Sequence, residues 1–235
     1  MIYFTSDLHL MHKNIIKYCK RIRNANIDYN NIHPGDVEGV AESICDVWNR
    51  FITDDDEIYI LGDVAPWLSE TKLKIVEPLI ASLKGHKHLI LGNHDVENNP
   101  LFMKIVPKYF ETMHDYLKLT VQLEDGEFTF VLFHYPIEEW HGKDKGVIHL
   151  HGHEHSSLND EKIRNYYRNN MGLRLDVGID SGFHHVFFRE SSEQEASPYY
   201  FNQMHVLNAY YKPISAEQII TFFTQLQLQY KRLKQ

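Results

Sequence analysis

The spacing of apolar residues in the first 95 positions switches between two periods. Short segments rich in apolar residues, each typical of a buried strand, lie at 2–6, 57–61 and 87–91. Segments with apolar residues at helical offsets, each predicting a helix, lie at 12–20, 36–51 and 69–83. Ser69 is the expected N-cap of the third helix. Strands that alternate with helices in this way predict a parallel sheet.

The second half of the chain changes character. Segments that predict strands lie at 116–123, 128–134, 147–151 and 174–179. The first two flank Glu124-Asp125-Gly126-Glu127, which is typical of a hairpin turn. The run Ser215-Ala-Glu-Gln218 matches a capping box and predicts a C-terminal helix to about residue 234. Periodicity alone therefore predicts an α/β chain with a parallel first half and an antiparallel second half.

Composition narrows the class of protein. The chain has 235 residues, 43% of them hydrophobic and 24% charged, which suits a single α/β domain over residues 1–235. Lys and Arg number 24 against 32 Asp and Glu, so the net charge is −8. Because Lys and Arg form no large cluster, the sequence argues against extended binding along double-stranded nucleic acid, though not against small nucleotides.

Cysteine usage and the N-terminal sequence indicate a cytoplasmic protein. Cys19 and Cys45 are too few for a zinc cluster or a disulfide framework, and a reducing compartment is the simpler interpretation. The N-terminal residues lack the basic and long apolar segments of a signal peptide. No stretch approaches the ~20 apolar residues of a membrane span. We therefore expect no association with a membrane.

Five of the predicted strands are each followed by Asp, Asn or His. In open α/β sheets the carboxyl ends of strands form the ligand-binding crevice, so these side chains are expected to converge. Carboxylates and imidazoles together suit divalent Mn, Fe or Zn, and one carboxylate can bridge two ions. The chain also has 16 His, well above ordinary usage. The strand-end residues are Asp7 and His9, Asp63, Asn93 to Asp95, His134, and His153 with His155.

The order of these motifs resembles that of calcineurin-like metallophosphoesterases: Asp-x-His, Gly-Asp, Gly-Asn-His-Asp, His and Gly-His-x-His. The run Ser6-Asp-Leu-His-Leu-Met-His-Lys-Asn-Ile-Ile16 and the run His149-Leu-His-Gly-His153 resemble small bacterial and phage members in particular. The resemblance covers roughly residues 1–180 and resumes near Tyr211-Lys-Pro-Ile-Ser215. It implies an α/β fold in which a two-sheet β-sandwich of mixed sheets is flanked by helices.

The resemblance also implies a centre with two divalent metal ions, Mn or Fe in the first place and Zn or Ni as alternatives. A hydroxide between the ions would attack phosphorus, and His94 would act as general acid on the leaving group, a role that suits an imidazole. The implied ligands are Asp7, His9 and His155 for one ion, Asn93, His134 and His153 for the other, and Asp63 as the bridge.

Other residues near these motifs leave two interpretations open. His12 begins a helix and is either a contact for the substrate phosphate or an ordinary surface residue. Asp95 either orients His94 from behind the ligands or caps the next helix. His151 is expected behind the ligands at most, and His149 in a structural role. His86 and His88 lie at the start of their strand, the wrong end for the site.

The sequence departs from the larger relatives at its second motif. Protein Ser/Thr phosphatases of this superfamily carry an arginine after Gly-Asp, whereas this chain reads Gly62-Asp63-Val-Ala-Pro-Trp67. We therefore expect a phosphodiesterase that acts on a nucleotide or another small phosphate ester. The alternatives are a phosphomonoesterase for a small metabolite and a non-catalytic metal-binding scaffold. The sequence leaves the oligomeric state undetermined.

A second departure is an insertion at about 181–208. Two aromatic, strand-like runs surround a polar loop there and predict an added hairpin. Such a hairpin could form a lid or wall of the substrate cleft, a dimer surface, or a plain hairpin on the edge of a sheet.

Overall fold

The computed structural model describes residues 1–22, 27–155, 173–181 and 211–233. The strands are β1 Ile2–Thr5, β2 Glu57–Ile60, β3 His86–Ile90, β4 Thr112–His114, β5 Tyr116–Leu123, β6 Gly126–Phe133, β7 Ile148–His151, β8 Arg174–Asp176 and β9 Ile214–Ser215. The α-helices are α1 Lys13–Cys19, α2 Pro34–Phe51, α3 Glu70–Ser82, α4 Asn93–Val96, α5 Pro100–Ile105 and α6 Ala216–Leu233. Short 3-10 helices lie at Val106–Tyr109 and Lys143–Lys145. The inserted hairpin predicted at about 181–208 lies almost entirely outside the described residues.

The first sheet has the strand order β4-β3-β2-β1-β9. Strands β1 to β4 are parallel, with Phe4 opposite Tyr59 and Leu89 opposite Ile60 and Met113. This arrangement confirms the parallel sheet predicted for the first half. Strand β9 pairs with β1 in the antiparallel direction, so the sheet is mixed.

The second sheet has the strand order β5-β6-β7-β8 and corrects one prediction. The hairpin of β5 and β6 is antiparallel, as its turn predicted, but β7 pairs in parallel with both β6 and β8. The alternation of apolar residues along a strand does not depend on the direction of the strand. The connection between two strands therefore determines whether they pair in parallel. Because the segment between β6 and β7 returns to the end of the sheet at which β6 begins, β7 runs parallel to β6.

The apolar core has two parts because side chains alternate between the two faces of each strand. One part lies between the sheets, where Phe4 of β1 contacts Phe130 of β6 with ring centroids 5.2 Å apart. Helix α6 closes this layer with Ile219 and Phe223. The other part lies between the first sheet and helices α1 to α3, around Trp48. Together these layers form the two-sheet sandwich flanked by helices that the resemblance implied.

Two helices begin at the capping residues predicted from the sequence. Ser69 accepts a hydrogen bond from the backbone N–H of Lys72 at 3.2 Å, which confirms it as the N-cap of α3. At the start of α6, Ser215 N donates to Gln218 Oε1 at 2.9 Å and Gln218 N donates to Ser215 Oγ at 3.2 Å, so the capping box is present. None of the described helices combines the length and apolar composition that crossing a membrane requires.

Candidate metal centre

Loops at the carboxyl ends of both sheets meet at one place. The loop after β1 carries Asp7 and His9, and the loop after β2 carries Asp63. Strand β3 leads through Gly92 into α4, which begins at Asn93. From the second sheet come the residues that follow β6 and β7, namely His134, His153 and His155.

The first cluster of ligand atoms comes from Asp7, His9, Asp63 and His155, whose atoms all lie within 4.8 Å of one another. His9 Nε2 is 3.8 Å from Asp7 Oδ1 and 3.4 Å from Asp63 Oδ2. His155 Nε2 is 3.5 Å from Asp7 Oδ1. These separations leave room for one ion among the four side chains.

The second cluster shares Asp63 with the first. Asp63, His134 and His153 have ligand atoms within 4.8 Å of one another, and Asp63 Oδ2 is 3.6 Å from His134 Nε2. Asn93 Oδ1 lies 3.1 Å from both His134 Nε2 and His153 Nδ1. Asp63 Oδ2 therefore faces both clusters.

Two buried atoms of the first cluster have no hydrogen-bond partner among the described residues, Asp7 Oδ1 and His9 Nε2. Both residues are almost fully buried, and an unpaired polar atom in that setting is costly. A divalent cation would satisfy both atoms at once. The donor set of carboxylate, imidazole and amide oxygen also fits two such ions.

Backbone strain is concentrated at these residues. A positive φ is uncommon for residues other than glycine, and its cost is tolerated mainly at functional sites. Among the described residues nine non-glycine residues have a positive φ, and five of them are predicted ligands from three separate loops. The φ angles are 59° at Asp7, 44° at His9, 57° at Asp63, 73° at His153 and 43° at His155.

Glycines allow these loops to approach closely. A Cβ atom on Gly92 would lie 2.3 Å from Asp63 Oδ1 and 2.6 Å from Asp63 N. Gly62 combines a φ of +94° with a Cβ position only 2.6 Å from His134 Nδ1. The loops after β2, β3 and β6 could not converge with side chains at these two positions.

Comparison with known proteins agrees with this geometry. The family model described as calcineurin-like phosphoesterase matches residues 1–196. The chain belongs to this family. The match confirms the resemblance drawn from the motifs, and with the ligand clusters it supports metal-dependent hydrolysis of phosphate esters.

Relatives of the phosphoesterase occur in archaea and phages. An uncharacterized protein of Methanocaldococcus jannaschii is 33% identical over 177 residues, which cover 75% of this chain and 82% of that protein. The gene 66 protein of Mycobacterium phage L5 is 30% identical over 197 residues, which cover 76% of this chain and 86% of the phage protein. A solved structure of a protein of unknown function from Aquifex aeolicus has the same fold, with a TM-score of 0.58 and 19% identity over 94% of this chain and 98% of that one.

The pKa shifts in the first cluster favour the protonation states that bind metal at two residues, Asp63 and His9. Burial by itself raises the pKa of Asp63, but its close approach to the His9 ring at 3.4 Å and the charge of His134 lower it to about 2, so Asp63 is a carboxylate at neutral pH. Burial lowers the pKa of His9, which keeps its ring neutral as a ligand must be.

His155 is the exception in this cluster. Burial lowers its pKa, but hydrogen bonds with Asp180 and Cys19 and the nearby charges of Asp7 and Asp180 raise it to about 10. An ion bound to His155 Nε2 would have to displace that proton.

His94 lies beside the first cluster and is half-buried. Its ring centroid is 5.3 Å from that of His9 and 4.7 Å from that of Trp67, and its backbone N–H donates to Asp63 Oδ1 at 2.9 Å. Trp67 is 44% exposed and has a φ of 47°. The predicted general acid thus borders both the ligands and an exposed aromatic surface.

The structure gives Asp95 and His12 specific contacts. Asp95 is fully buried and accepts backbone N–H groups of Gly92, Asp63 and Val64 at 2.8–2.9 Å, so it ties together the loops after β2 and β3. These contacts favour the capping interpretation, because none of the hydrogen bonds described for Asp95 reaches the ring of His94. His12 Nδ1 is 3.1 Å from His9 Nδ1.

The four other histidines considered in the sequence analysis behave as structural residues. His149 Nδ1 and Nε2 lie 3.2 Å from the carbonyl oxygens of Val131 and Tyr135, and its ring packs on Trp140. His88 pairs with Glu57 at 2.6 Å at the far end of the sheet. His86 pairs there with Glu111, and His151 is buried behind the ligands with Nδ1 2.9 Å from the Gly152 carbonyl.

Several residues that border the centre carry no strong sequence signal. Trp67 follows the Gly62-Asp63 motif but is not one of its ligand positions, Asn99 lies beyond the Gly92-to-Asp95 motif, and Arg21 belongs to a run of surface-like basic residues. Asp180 follows a Val-Gly-x sequence, the one signal that could have marked it. Tyr135 directly follows His134, and its ring lies 4.8 Å from that of His153 and 5.1 Å from that of His134.

Proposed function

We propose that this phosphoesterase hydrolyses phosphate diesters of nucleotides or other small molecules with two divalent cations and with His94 as general acid. One observation carries the proposal. Asp63 Oδ2 faces His9 Nε2 at 3.4 Å and His134 Nε2 at 3.6 Å, the position of a carboxylate that bridges two ions.

The chain's own residues would hold the ions and fix their surroundings. Bound cations would activate a water molecule and neutralise charge on the phosphoryl oxygens, and we expect Mn or Fe in this role. The carbonyl of Leu61 accepts from His134 Nδ1 at 2.7 Å, which turns Nε2 with its lone pair toward the centre. The residues proposed as ligands are Asp7, His9 and His155 for the first ion, Asn93, His134 and His153 for the second, and Asp63 for both.

His94 would donate a proton to the departing oxygen. Its ring is half-buried against the rings of His9 and Trp67, so it lies next to the first cluster. General acid catalysis of this kind contributes roughly 10²–10⁴-fold to a rate.

The loop after β2 favours a diester over a phosphomonoester. Gly62-Asp63-Val-Ala-Pro-Trp67 has no arginine to clamp the extra charge of a monoester. Instead Trp67 presents a partly exposed aromatic ring, which suits contact with a second, apolar ester arm.

Turnover of matched substrates tests the proposal. The full chain would be stripped of metal with a chelator, Mn2+ would be restored, and hydrolysis of an aryl phosphate diester would be compared with that of the matching monoester. His94→Ala should lower the rate with the diester by roughly 10²–10⁴-fold. His86→Ala is the control, because His86 is exposed at the opposite end of β3.

The outcomes separate the candidate functions. Faster Mn2+-dependent cleavage of the diester, lost in His94→Ala and kept in His86→Ala, supports the proposal. Preference for the monoester would replace it with phosphomonoesterase activity. Bound metal without turnover of either substrate under Mn2+, Fe2+, Zn2+ and Ni2+ would contradict catalysis of these esters and favour a scaffold.

A further inference from the structure

We propose that Arg21 and Asp180 are positioning residues for His155 and that they set the affinity of the first cluster for its ion without affecting the second cluster. This inference rests on the proposed function, because it assumes that His155 binds a cation. It concerns side chains that lie behind the ligands and do not contact the substrate.

Arg21 and Asp180 form a buried ion pair across 159 residues of sequence. Arg21 is 1% exposed and Asp180 is 7% exposed. Arg21 Nε donates to Asp180 Oδ1 at 3.0 Å, and the Arg21 NH2 nitrogen donates to Asp180 Oδ2 at 2.6 Å. This two-pronged geometry fixes the carboxylate plane in a way that a lysine could not reproduce.

Arg21 also holds the loop after β1. Its two terminal nitrogens donate to the backbone carbonyls of Leu8 at 2.5 Å and Asp7 at 2.6 Å. Asp7 and His9 both have a positive φ in this loop. Because a strained backbone persists only when surrounding contacts over-determine it, Arg21 supplies part of the restraint that keeps Asp7 in place.

Asp180, held by Arg21, in turn restrains the ring of His155. Asp180 Oδ2 is 3.1 Å from His155 Nδ1, so Nδ1 carries the proton and Nε2 is directed to Asp7 Oδ1, 3.5 Å away. A carboxylate that accepts from the far nitrogen of a metal-binding histidine fixes its tautomer and ring orientation. Arg21, Asp180, His155 and Asp7 thus form a continuous array that ends in the first cluster.

The side chains of the second cluster are oriented by other contacts, and the one link to the array is through the backbone, where His153 N donates to Asp7 Oδ2 at 3.0 Å. His134 Nδ1 lies 2.7 Å from the Leu61 carbonyl, and His153 Nδ1 lies 3.1 Å from Asn93 Oδ1. None of the hydrogen bonds described for Arg21 or Asp180 reaches these residues. The array is therefore expected to act on one ion of the pair.

This asymmetry distinguishes positioning from a purely structural role. A buried ion pair that only supports the fold would lower stability when broken, and any effect on the metal would fall on both ions. A positioning array would weaken one ion selectively. Loss of such a partner to a metal-binding histidine typically costs 10–100-fold in affinity.

Mn2+ binding to the full chain, followed by calorimetry and electron paramagnetic resonance, tests the inference. The variants are Asp180→Asn, which removes the acceptor charge, and Arg21→Lys, which keeps the charge but loses the paired donors. In both variants we expect one Mn2+ per chain to bind with wild-type affinity and the other roughly 10–100-fold more weakly. At limiting Mn2+ the spin-coupled spectrum of a two-ion centre should give way to that of an isolated ion.

Asp56→Asn is the matched control. Asp56 is a buried carboxylate that accepts from the Met1 ammonium at 2.6 Å and from Thr53 N at 2.7 Å, at the opposite end of the first sheet. This variant should lose stability but keep both ions and the coupled spectrum. If Asp180→Asn does not fold, Arg21→Lys carries the test.

The results separate this inference from the proposed function. Two tightly bound ions in a folded Asp180→Asn or Arg21→Lys protein would overturn the inference, whatever the turnover. Equal weakening of both ions would overturn it as well. Selective loss of one ion supports it even if the wild-type protein hydrolyses neither test ester, a result that would count against the proposed function alone. A wild-type protein that binds fewer than two ions would overturn both.

Discussion

At the scale of single residues, Asn99 joins the proposed general acid to the loop that carries Trp67. Asn99 is fully buried, accepts from Leu68 N at 3.0 Å, and donates to the carbonyls of Ala65 and His94 at 2.8 Å. One side chain thus satisfies three backbone groups, two in the loop after β2 and one in α4. We infer that Asn99 fixes the position of His94 relative to the loop that carries Trp67.

Asn99→Ala should leave those backbone groups unpaired. We expect the free energy of unfolding in urea to fall by about 1–3 kcal/mol. Turnover of the aryl diester should fall roughly 10–100-fold because a small displacement of a catalytic group is costly. Mn2+ content should be unchanged.

Asn49→Ala is the control for this prediction. Asn49 also bridges two segments, donating to the Ser82 carbonyl at 3.0 Å and accepting from Lys84 N at 2.9 Å, but it lies among helices away from the centre. Its replacement should leave turnover unchanged. Equal turnover in the Asn99 variant would show that Asn99 does not position His94.

The sequence predicted candidate ligands because each directly follows an apolar strand, and parallel strands bring their carboxyl ends together. Whether these residues bind metal stays a prediction, although the structure brings the seven candidates into two adjoining clusters. Asn99 and Arg21 could not be found in this way. Their partners lie up to 159 residues away, and no local pattern records such contacts.

At the scale of elements, the junction of β3 and α4 determines how closely two loops approach. Gly92→Ala would place a methyl group 2.3 Å from Asp63 Oδ1. We expect a loss of about 1–3 kcal/mol in the free energy of unfolding and weaker binding of both ions, since Asp63 must move. Thermal unfolding and metal titration measure the two effects.

Gly35→Ala, in α2, is the matched control. Apart from its two chain neighbours and the backbone of its own helix, no atom lies within 4 Å of the added Cβ, so the substitution should be neutral or should stabilise the helix by up to about 1 kcal/mol. If Gly92→Ala behaved like Gly35→Ala, close approach at Gly92 would not matter to the centre.

Asp56, which directly precedes β2, is expected to make the stability of the fold depend on pH. Burial alone raises the pKa of Asp56, but hydrogen bonds from the Met1 ammonium and Thr53 outweigh it and lower the pKa below its usual value. A lowered carboxyl pKa contributes stability above the unfolded value of about 4, and that stability is lost as the pH falls through the folded value. Asp56→Asn should therefore be less stable than wild type at pH 7, by about 1–3 kcal/mol.

The difference should shrink below about pH 4, where the wild-type carboxyl group also becomes neutral. Urea unfolding of metal-free protein from pH 7 down to pH 2 measures it. A constant difference across this range would contradict the assigned pKa shift.

Strands and helices with strong periodicity were predictable, and the direction of strand pairing in the second sheet was not. The bounds of β5 agree with the sequence prediction, and α2 begins two residues earlier than predicted because Pro34 occupies its first turn. Strand β4 has three residues and β9 has two, too few for a period to show. The single-domain organisation stays a prediction.

At the scale of the whole molecule, the proposed centre lies where the two sheets are joined. Ser6 forms a parallel bridge with Gly178, and Ile179 N donates to the Ser6 carbonyl at 3.1 Å. Ions held by Asp7 and Asp63 from the first sheet and by His134 from the second would connect the same two layers. Metal binding and sheet packing are thus expected to support each other.

Anomalous scattering from crystals grown with Mn2+ tests the central claim most directly. We expect two manganese peaks, ~3.5–4 Å apart on either side of Asp63 Oδ2. One peak should be bounded by Asp7, His9 and His155 and the other by Asn93, His134 and His153. A single peak, or manganese bound instead at the neighbouring group of His151, Glu154 and Asp176, would contradict it.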